Sequence, residues 1–358
     1  MASFHCPTEI FTGLHALEAL KKFPAQRVLV VTDTFFSKTG KALEIGRMVP
    51  GAQVQIFDKV VPDPPAALAA EGAAVCRSFR PQVLIALGGG SPMDCAKAIR
   101  LAFGEPLTFV AIPTTSGSGS EVTSFSILTH KGVKHALVDR GLRPDAAILD
   151  AELLERLPTT LIADTGMDLL AHCMEALVAK NRTGFTDALA FQAARSVLEQ
   201  LRASFRGDAA VRLRIHEAAT MAGMAFDNAG LGVCHALAHA IGGVSHVPHG
   251  RLCAMLLPSV MEYNMSEGHT QYAALARLCG MAGATDRLAV RSLICGIVRL
   301  RRELLLPQDL RQAGVEKALW EQERERIIEA ALADPCCKTN PVPVTKDGLT
   351  EILKAVEP

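Results

Sequence analysis

Neither sign of charge is in excess: 37 Lys and Arg stand against 37 Asp and Glu in 358 residues, so the formal net charge is zero. That balance removes the electrostatic basis for a nucleic-acid or acidic-membrane partner, and no strongly basic or acidic tail is present. No run of about 18 apolar residues occurs. The opening Met1-Ala2-Ser3-Phe4-His5-Cys6 has no basic stretch followed by an apolar one, so neither a membrane span nor an export leader is expected. The ten cysteines, scattered from Cys6 to Cys337, contain no CxxC pair. Reduced cytosolic thiols are expected rather than a disulfide framework. Internal repeats and low-complexity linkers are missing too.

What is there is an ordered globular composition, 49% hydrophobic and 21% charged, in a chain long enough for two domains. A mean hydropathy of +0.23 leaves room for a buried subunit contact. Up to about residue 150, short β-branched runs alternate with helical stretches. Strands are expected at residues 27–32, 54–57, 83–87 and 107–112, with Ala-rich amphipathic helices at 66–78 and 92–103. Such alternation implies parallel pairing through crossover helices and ligands at the carboxyl ends of the strands. Beyond Leu149-Asp150 the pattern turns helical. The boundary is expected near Pro158, dividing an α/β part, 1–158, from an all-helical part, 159–358. The two parts are expected to pack directly and leave a cleft that suits a small molecule.

Two glycine-rich segments follow strands of the first part. Gly88-Gly89-Gly90-Ser91-Pro92-Met93-Asp94 opens a helix, with Ser91 as expected N-cap and Pro92 as first helical residue. Its glycines let backbone N–H groups approach a pyrophosphate, although a tight turn without ligand has the same composition. Pro113-Thr114-Thr115-Ser116-Gly117-Ser118-Gly119-Ser120-Glu121 offers hydroxyls and amides to a ribose or nicotinamide, or is a plain surface loop. Asp33 ends the first of these strands and suits an adenosine ribose, favouring NAD over NADP; the start of a turn is the lesser alternative. This aspartate precedes the glycines, the reverse of the usual dinucleotide fingerprint.

The second part carries metal-ligating types at helical spacing. Asp168 and His172 are four residues apart, as are His235 and His239, and His249 follows ten residues later. Three histidines and a carboxylate suit Zn²⁺ or Fe²⁺ with a position open to substrate. Asp168 also reads as a capping partner of Thr165, and His172 as a core histidine. Four of the eleven histidines, at 235, 239, 246 and 249, fall within fifteen residues, which chance explains poorly.

Taken in order, Thr12-Gly13, Asp33, Val61-Pro-Asp-Pro64, Gly88 to Asp94, Pro113 to Thr123, Thr165-Gly-Met-Asp168, Phe226 to Gly232, His235-Ala-Leu-Ala-His239, Pro248-His-Gly250 and Thr339-Asn-Pro341 resemble the iron-containing (group III) alcohol dehydrogenases over nearly the whole chain. The resemblance implies a dehydroquinate-synthase-like fold, with an α/β NAD-binding domain followed by an all-α metal domain. It implies Asp168, His172, His235 and His249 as ligands of Fe²⁺ or Zn²⁺, with His239 a non-ligand lining the reaction site; an imidazole there is the candidate catalytic group for passing the proton to solvent. It places Asp33, Gly89, Gly90, Ser91, Asp94, Thr114, Thr115, Ser118 and Lys134 on NAD(H), and Phe125, Phe226 and Cys336 at the substrate.

Phe125 stands where lactaldehyde reductase has a polar amide, and Cys336-Cys337-Lys338 where relatives more often have Cys-Thr. An apolar wall at Phe125 favours a simple short-chain alcohol or aldehyde, as in propanol- and ethanol-dehydrogenase-like members, over a diol. A cytoplasmic homodimer or larger homo-oligomer is implied, and some members of that group associate with bacterial microcompartments. The rival readings are a diol or polyol dehydrogenase (lactaldehyde reductase, 1,3-propanediol or glycerol dehydrogenase-like), a dehydroquinate-synthase-like lyase and a non-catalytic scaffold. The second needs a dense Lys/Arg cluster that the metal segment lacks, and the third is at odds with retention of every proposed ligand.

Overall fold

The computed structural model describes residues 3–130 and 133–358. Met1 and Ala2, with which the N-terminal reading begins, lie outside them. The described residues form two compact units: Cys6–Leu157, and Pro158–Pro358 together with Ser3–His5. Within the latter, Phe4 stacks on Phe185 and the His5 N–H donates to Asn228 Oδ1 at 2.7 Å. Among the described residues no helix is long and apolar enough to cross a membrane.

The first unit contains β1 (Glu9–Gly13), β2 (Arg27–Asp33), β3 (Gln53–Val60), β4 (Val83–Gly88), β5 (Thr108–Pro113), β6 (Phe125–His130), β7 (Val133–Val138) and β8 (Ala146–Asp150), with helices α1 (Thr34–Lys38), α2 (Lys41–Arg47), α3 (Ala66–Phe79) and α4 (Gly90–Phe103). Six strands pair in parallel in the order β1-β8-β5-β4-β2-β3, while β6 and β7 form a separate antiparallel hairpin. The central strands are apolar on both faces because both are covered. Leu29, Val31, Leu84, Ala86 and Phe109 face Ala73, Cys76, Ala96 and Ile99 of α3 and α4. Their neighbours Val28, Val30, Val83, Ile85 and Val110 face Leu17, Leu20, Ala42 and Ile45 on the other side.

Strand order fixes where a ligand would lie. The step from β2 to β3 runs one way along the sheet, whereas those from β3 to β4 and from β4 to β5 run the other way. Right-handed crossovers therefore put α2 and α3 on opposite faces and open a crevice beyond the carboxyl ends of β2 and β4. Asp33 and Gly88 are the last residues of those strands.

The second unit is built of α5 (Thr159–Val178), α6 (Gly184–Phe205), α7 (Arg212–Ala229), α8 (Val233–Ser245), α9 (His249–Ser266), α10 (Tyr272–Leu278), α11 (Asp286–Glu303), α12 (Lys317–Ala333) and α13 (Lys346–Lys354). Helix α5 is buried nearly all round and packs against α6, α7 and α9, which is why its sequence lacks a polar face. Thr165 lies inside α5 rather than at its start, so the capping role for Asp168 does not hold.

Pro258 interrupts the ladder of α9, because it has no N–H for the Ala254 carbonyl. Arg301 of α11 fills that gap: its buried guanidinium donates to the Ala254 and Met255 carbonyls, each at 3.2 Å. Arg301→Met is expected to lower stability by about 1–2 kcal/mol, the cost of a stranded buried carbonyl. A guanidinium chloride midpoint equal to that of the parent would contradict this account.

Candidate active site

Both glycine-rich segments meet at the carboxyl edge of the sheet. Gly88 has φ +144°, a conformation other residues rarely adopt, and a Cβ there would lie 2.6 Å from Pro92 Cγ. The turn is so tight that α4 starts at Gly90, with Gly89 as N-cap, and Ser91 and Pro92 lie two positions further into the helix than expected. The Thr114 N–H donates to the Gly88 carbonyl at 2.9 Å. A Cβ on Gly89 would sit 3.1 Å from Thr115 Oγ1, and one on Gly90 3.5 Å from Ser118 Cβ. Bare backbone at the start of α4 thus faces hydroxyls of the next loop, an arrangement suited to a pyrophosphate at a helix N-terminus.

The other residues expected at the cofactor are placed as follows. Asp33 caps α1, its Oδ1 accepting from the Phe35 and Phe36 N–H groups at 2.9 and 3.3 Å. Turn formation and a ligand role are therefore compatible, since that geometry uses one oxygen. Asp94 accepts from Ser120 Oγ at 3.0 Å. Burial pushes its carboxyl up to about 6 against the pull of Lys97. The buried Lys97 ammonium donates to Ser120 Oγ, Thr123 Oγ1 and the Phe125 carbonyl, tying α4 to the second loop and to β6. Lys134 pairs with Asp63 at 2.7 Å.

In the helical unit, side-chain donors of Asp168, His235, His249 and Cys253 lie within 4.8 Å of one another. Asp168 Oδ1 is 3.6 Å from His235 Nε2 and 3.4 Å from His249 Nε2. The buried Asp168 Oδ1 and His235 Nε2 atoms have no hydrogen-bond partner. Two donors each about 2.1 Å from a tetrahedral ion lie roughly 3.4 Å apart, so this spacing fits a divalent cation. His172 stands beside the group rather than in it, its ring stacked on both His235 and Phe226 with centroids 4.4 Å away. Cys253 Sγ is 3.6 Å from His249 Nε2. Burial pushes this thiol well above its ordinary value.

Electrostatics holds the group together. Burial alone would raise the Asp168 carboxyl, but His172, His249 and His235 hold it far below the usual carboxylate range. Burial would likewise lower His235, but Glu175 and Asp168 lift it well above the usual imidazole value. Glu175, which the sequence reading did not single out, accepts from the Gly232 and Cys234 N–H groups at 2.9 and 2.6 Å and faces His235 Nδ1 at 2.6 Å. It therefore anchors the start of α8 and turns His235 Nε2 toward Asp168, as a carboxylate behind a ligating histidine does. A signal existed: Asp168, His172 and Glu175, at i, i+4 and i+7, share one helix face.

Two further pairings were not anticipated. Asp334 Oδ2 lies 2.9 Å from His239 Nδ1. Despite burial, His239 holds the Asp334 carboxyl down at about 2. The His239 ring stacks on His249 at 5.2 Å, and Cys336 joins His239 and Asp334 in a second group of donors. Arg251 grips both oxygens of Asp164, at 3.1 and 2.9 Å, fixing the start of α9 against α5. Phe226 thus borders the histidines within the helical unit, whereas Phe125 opens β6 of the first unit.

Two family models cover most of the sequence: iron-containing alcohol dehydrogenase over residues 7–151, and the C-terminal part of the Fe-containing alcohol dehydrogenase family over residues 162–356. The chain belongs to the iron-containing alcohol dehydrogenase family. As a member it is an oxidoreductase of alcohols and aldehydes, EC 1.1.1.-, and membership implies a metal ion, which the Asp168 and histidine donors fit.

It is 38% identical to the 1-propanol dehydrogenase PduQ of Citrobacter freundii over 367 residues, 99% of each chain. It is 36% identical to an NADPH-dependent butanol dehydrogenase of Clostridium saccharobutylicum over 381 residues, 99% of this chain and 98% of the relative. Among solved structures, a 1,3-propanediol oxidoreductase superposes with a TM-score of 0.92 at 32% identity, covering 99% of both chains. The sulfoacetaldehyde reductase of Bifidobacterium kashiwanohense, solved in complex with NAD⁺, gives 0.89 at 25% identity, covering 99% of this chain and 98% of that one.

Proposed function

We propose that this iron-containing alcohol dehydrogenase interconverts a short-chain primary alcohol and its aldehyde, with NAD(H) as hydride carrier, Asp168, His235 and His249 as metal ligands, and His172, which lies outside that donor group with its ring 4.4 Å from His235, as the fourth. The observation that carries the reading is the spacing at which Asp168 Oδ1 faces His235 Nε2 and His249 Nε2, 3.6 and 3.4 Å. When bound, a divalent ion supplies Lewis-acid polarisation of the substrate oxygen and the nicotinamide carries the hydride.

The contribution of the chain itself is positional. Glu175 sets the His235 ring, and Phe226 presents an apolar wall beside His172, favouring an unsubstituted carbon chain. With Nδ1 facing Asp334, His239 has Nε2 left to take up the alcohol proton and hand it to water. Gly89, Gly90 and Ser91 receive the pyrophosphate, and Asp33 accepts a ribose hydroxyl while repelling a 2′-phosphate. The propanol and butanol dehydrogenases among the relatives support the short-chain assignment. The NADPH-dependent one makes dinucleotide choice worth testing separately.

The test is to load purified protein with Fe²⁺ or Zn²⁺ and follow reduced-nicotinamide absorbance with propanal or butanal, using NADH and NADPH in parallel. Metal-dependent consumption is expected, faster with NADH. No metal-dependent consumption with any short aldehyde would refute the reading. Because a 1,3-propanediol oxidoreductase is structurally similar, the reverse assay includes that diol, and faster turnover of it than of 1-propanol would shift the substrate to diols.

A further inference from the structure

Nitrogen, oxygen and sulfur donors meet a second time in the helical unit. His239 of α8, Asp334 at the end of α12 and Cys336 in the short turn Pro335–Lys338 bring three donor atoms within 4.8 Å of one another. The local chain explains the arrangement. Asp334 Oδ1 accepts the Cys336 N–H at 2.8 Å, which curls the turn and brings the thiol round, while Oδ2 faces His239 Nδ1 at 2.9 Å. The side chains of His239 and Asp334 keep 18% and 15% exposure, so an ion can enter and water can complete its shell. A His, a carboxylate and a cysteine that gives up its proton on binding suit tetrahedral Zn²⁺, and the sulfur favours soft cations.

We propose that His239, Asp334 and Cys336 form a second site, for a thiophilic divalent cation such as Zn²⁺, and that filling it inhibits the enzyme. On binding, the cysteine proton passes to solvent and His239 is committed to the cation. His239 then no longer exchanges the substrate proton. That consequence for turnover rests on the role given to His239 above; the binding itself does not.

The experiment titrates iron-loaded protein with Zn²⁺ or Co²⁺, counts bound metal after desalting and records thiolate-to-cobalt absorption. The parent is expected to take up one further ion, show that absorption with Co²⁺, and lose turnover roughly a hundredfold with Zn²⁺, the low end for a positioned proton carrier. Cys336→Ser is expected to lose both the extra ion and the absorption; should it fail to fold, Asp334→Asn is read in the same way. A parent that takes no further ion, or a variant that still takes it, overturns the proposal. His235→Ala separates the two sites: retained thiolate absorption supports the second site even where turnover is gone, and lost absorption overturns it.

Discussion

His235→Ala is expected to give a folded protein that holds no ion beside Asp168 and turns over at less than about one-thousandth of the parent rate. Lewis-acid stabilisation of several kcal/mol corresponds to a factor of that order. The fold should survive because Glu175 keeps its two backbone donors, the Gly232 and Cys234 N–H groups, once the ring is removed. Glu175→Ala reverses the pattern. It strips the acceptor from those two amides and from His235 Nδ1 at once, and loss of one partner from a buried charged network costs roughly 3–5 kcal/mol. Ion affinity should also fall by about 10- to 100-fold, as when the carboxylate behind a ligating histidine is lost. Metal analysis and denaturant unfolding of the two variants together check this. A His235→Ala protein that retains the ion would refute His235 as a ligand, and a Glu175→Ala protein that binds it as tightly as the parent would show that Glu175 does not orient that histidine.

The two variants also show which kinds of information the sequence carried. Strands such as Val28 to Val31 and Val83 to Leu87 announced themselves because both faces are covered, leaving unbroken apolar runs. Strand β1 at the sheet edge is half-exposed, and β8 reads Ala-Ala-Ile-Leu-Asp; neither gives such a run, and their pairing depends on contacts distant in sequence. The histidine cluster stood out because His235 and His239 share a helix face. Glu175 was hidden because a glutamate in a helix ordinarily faces water, and only the arrival of α8 makes it a buried anchor. Asp334 lies 95 positions from His239, so no local spacing could join them. The start of α4 was misjudged because Gly88 completes the turn without help from the Ser91 side chain.

Gly250→Ala should weaken ion binding and lower turnover roughly a hundredfold although every proposed ligand is retained. Gly250 follows His249 in the first turn of α9, where the backbone of α9 runs against that of α5. A Cβ there would overlap the Asp164 carbonyl oxygen, come within 2.7 Å of its carbon and lie 3.1 Å from Asp168 Cβ. The opposing atoms are mostly backbone, and Arg251 clamps the Asp164 side chain, so nothing flexible can yield. The start of α9 must move instead, widening the 3.4 Å gap between His249 Nε2 and Asp168 Oδ1, and a displacement of about 1 Å at a catalytic centre costs on the order of a hundredfold. The sign is what makes the result diagnostic, because Gly to Ala inside an exposed helix ordinarily stabilises by about 1 kcal/mol. Gly243 in α8, where a Cβ would meet nothing within 4 Å, provides that comparison. Gly243→Ala should be at least as stable as the parent and keep its ion. If Gly250→Ala bound iron with parental affinity, the close approach of α9 to α5 would not be what brings His249 to Asp168.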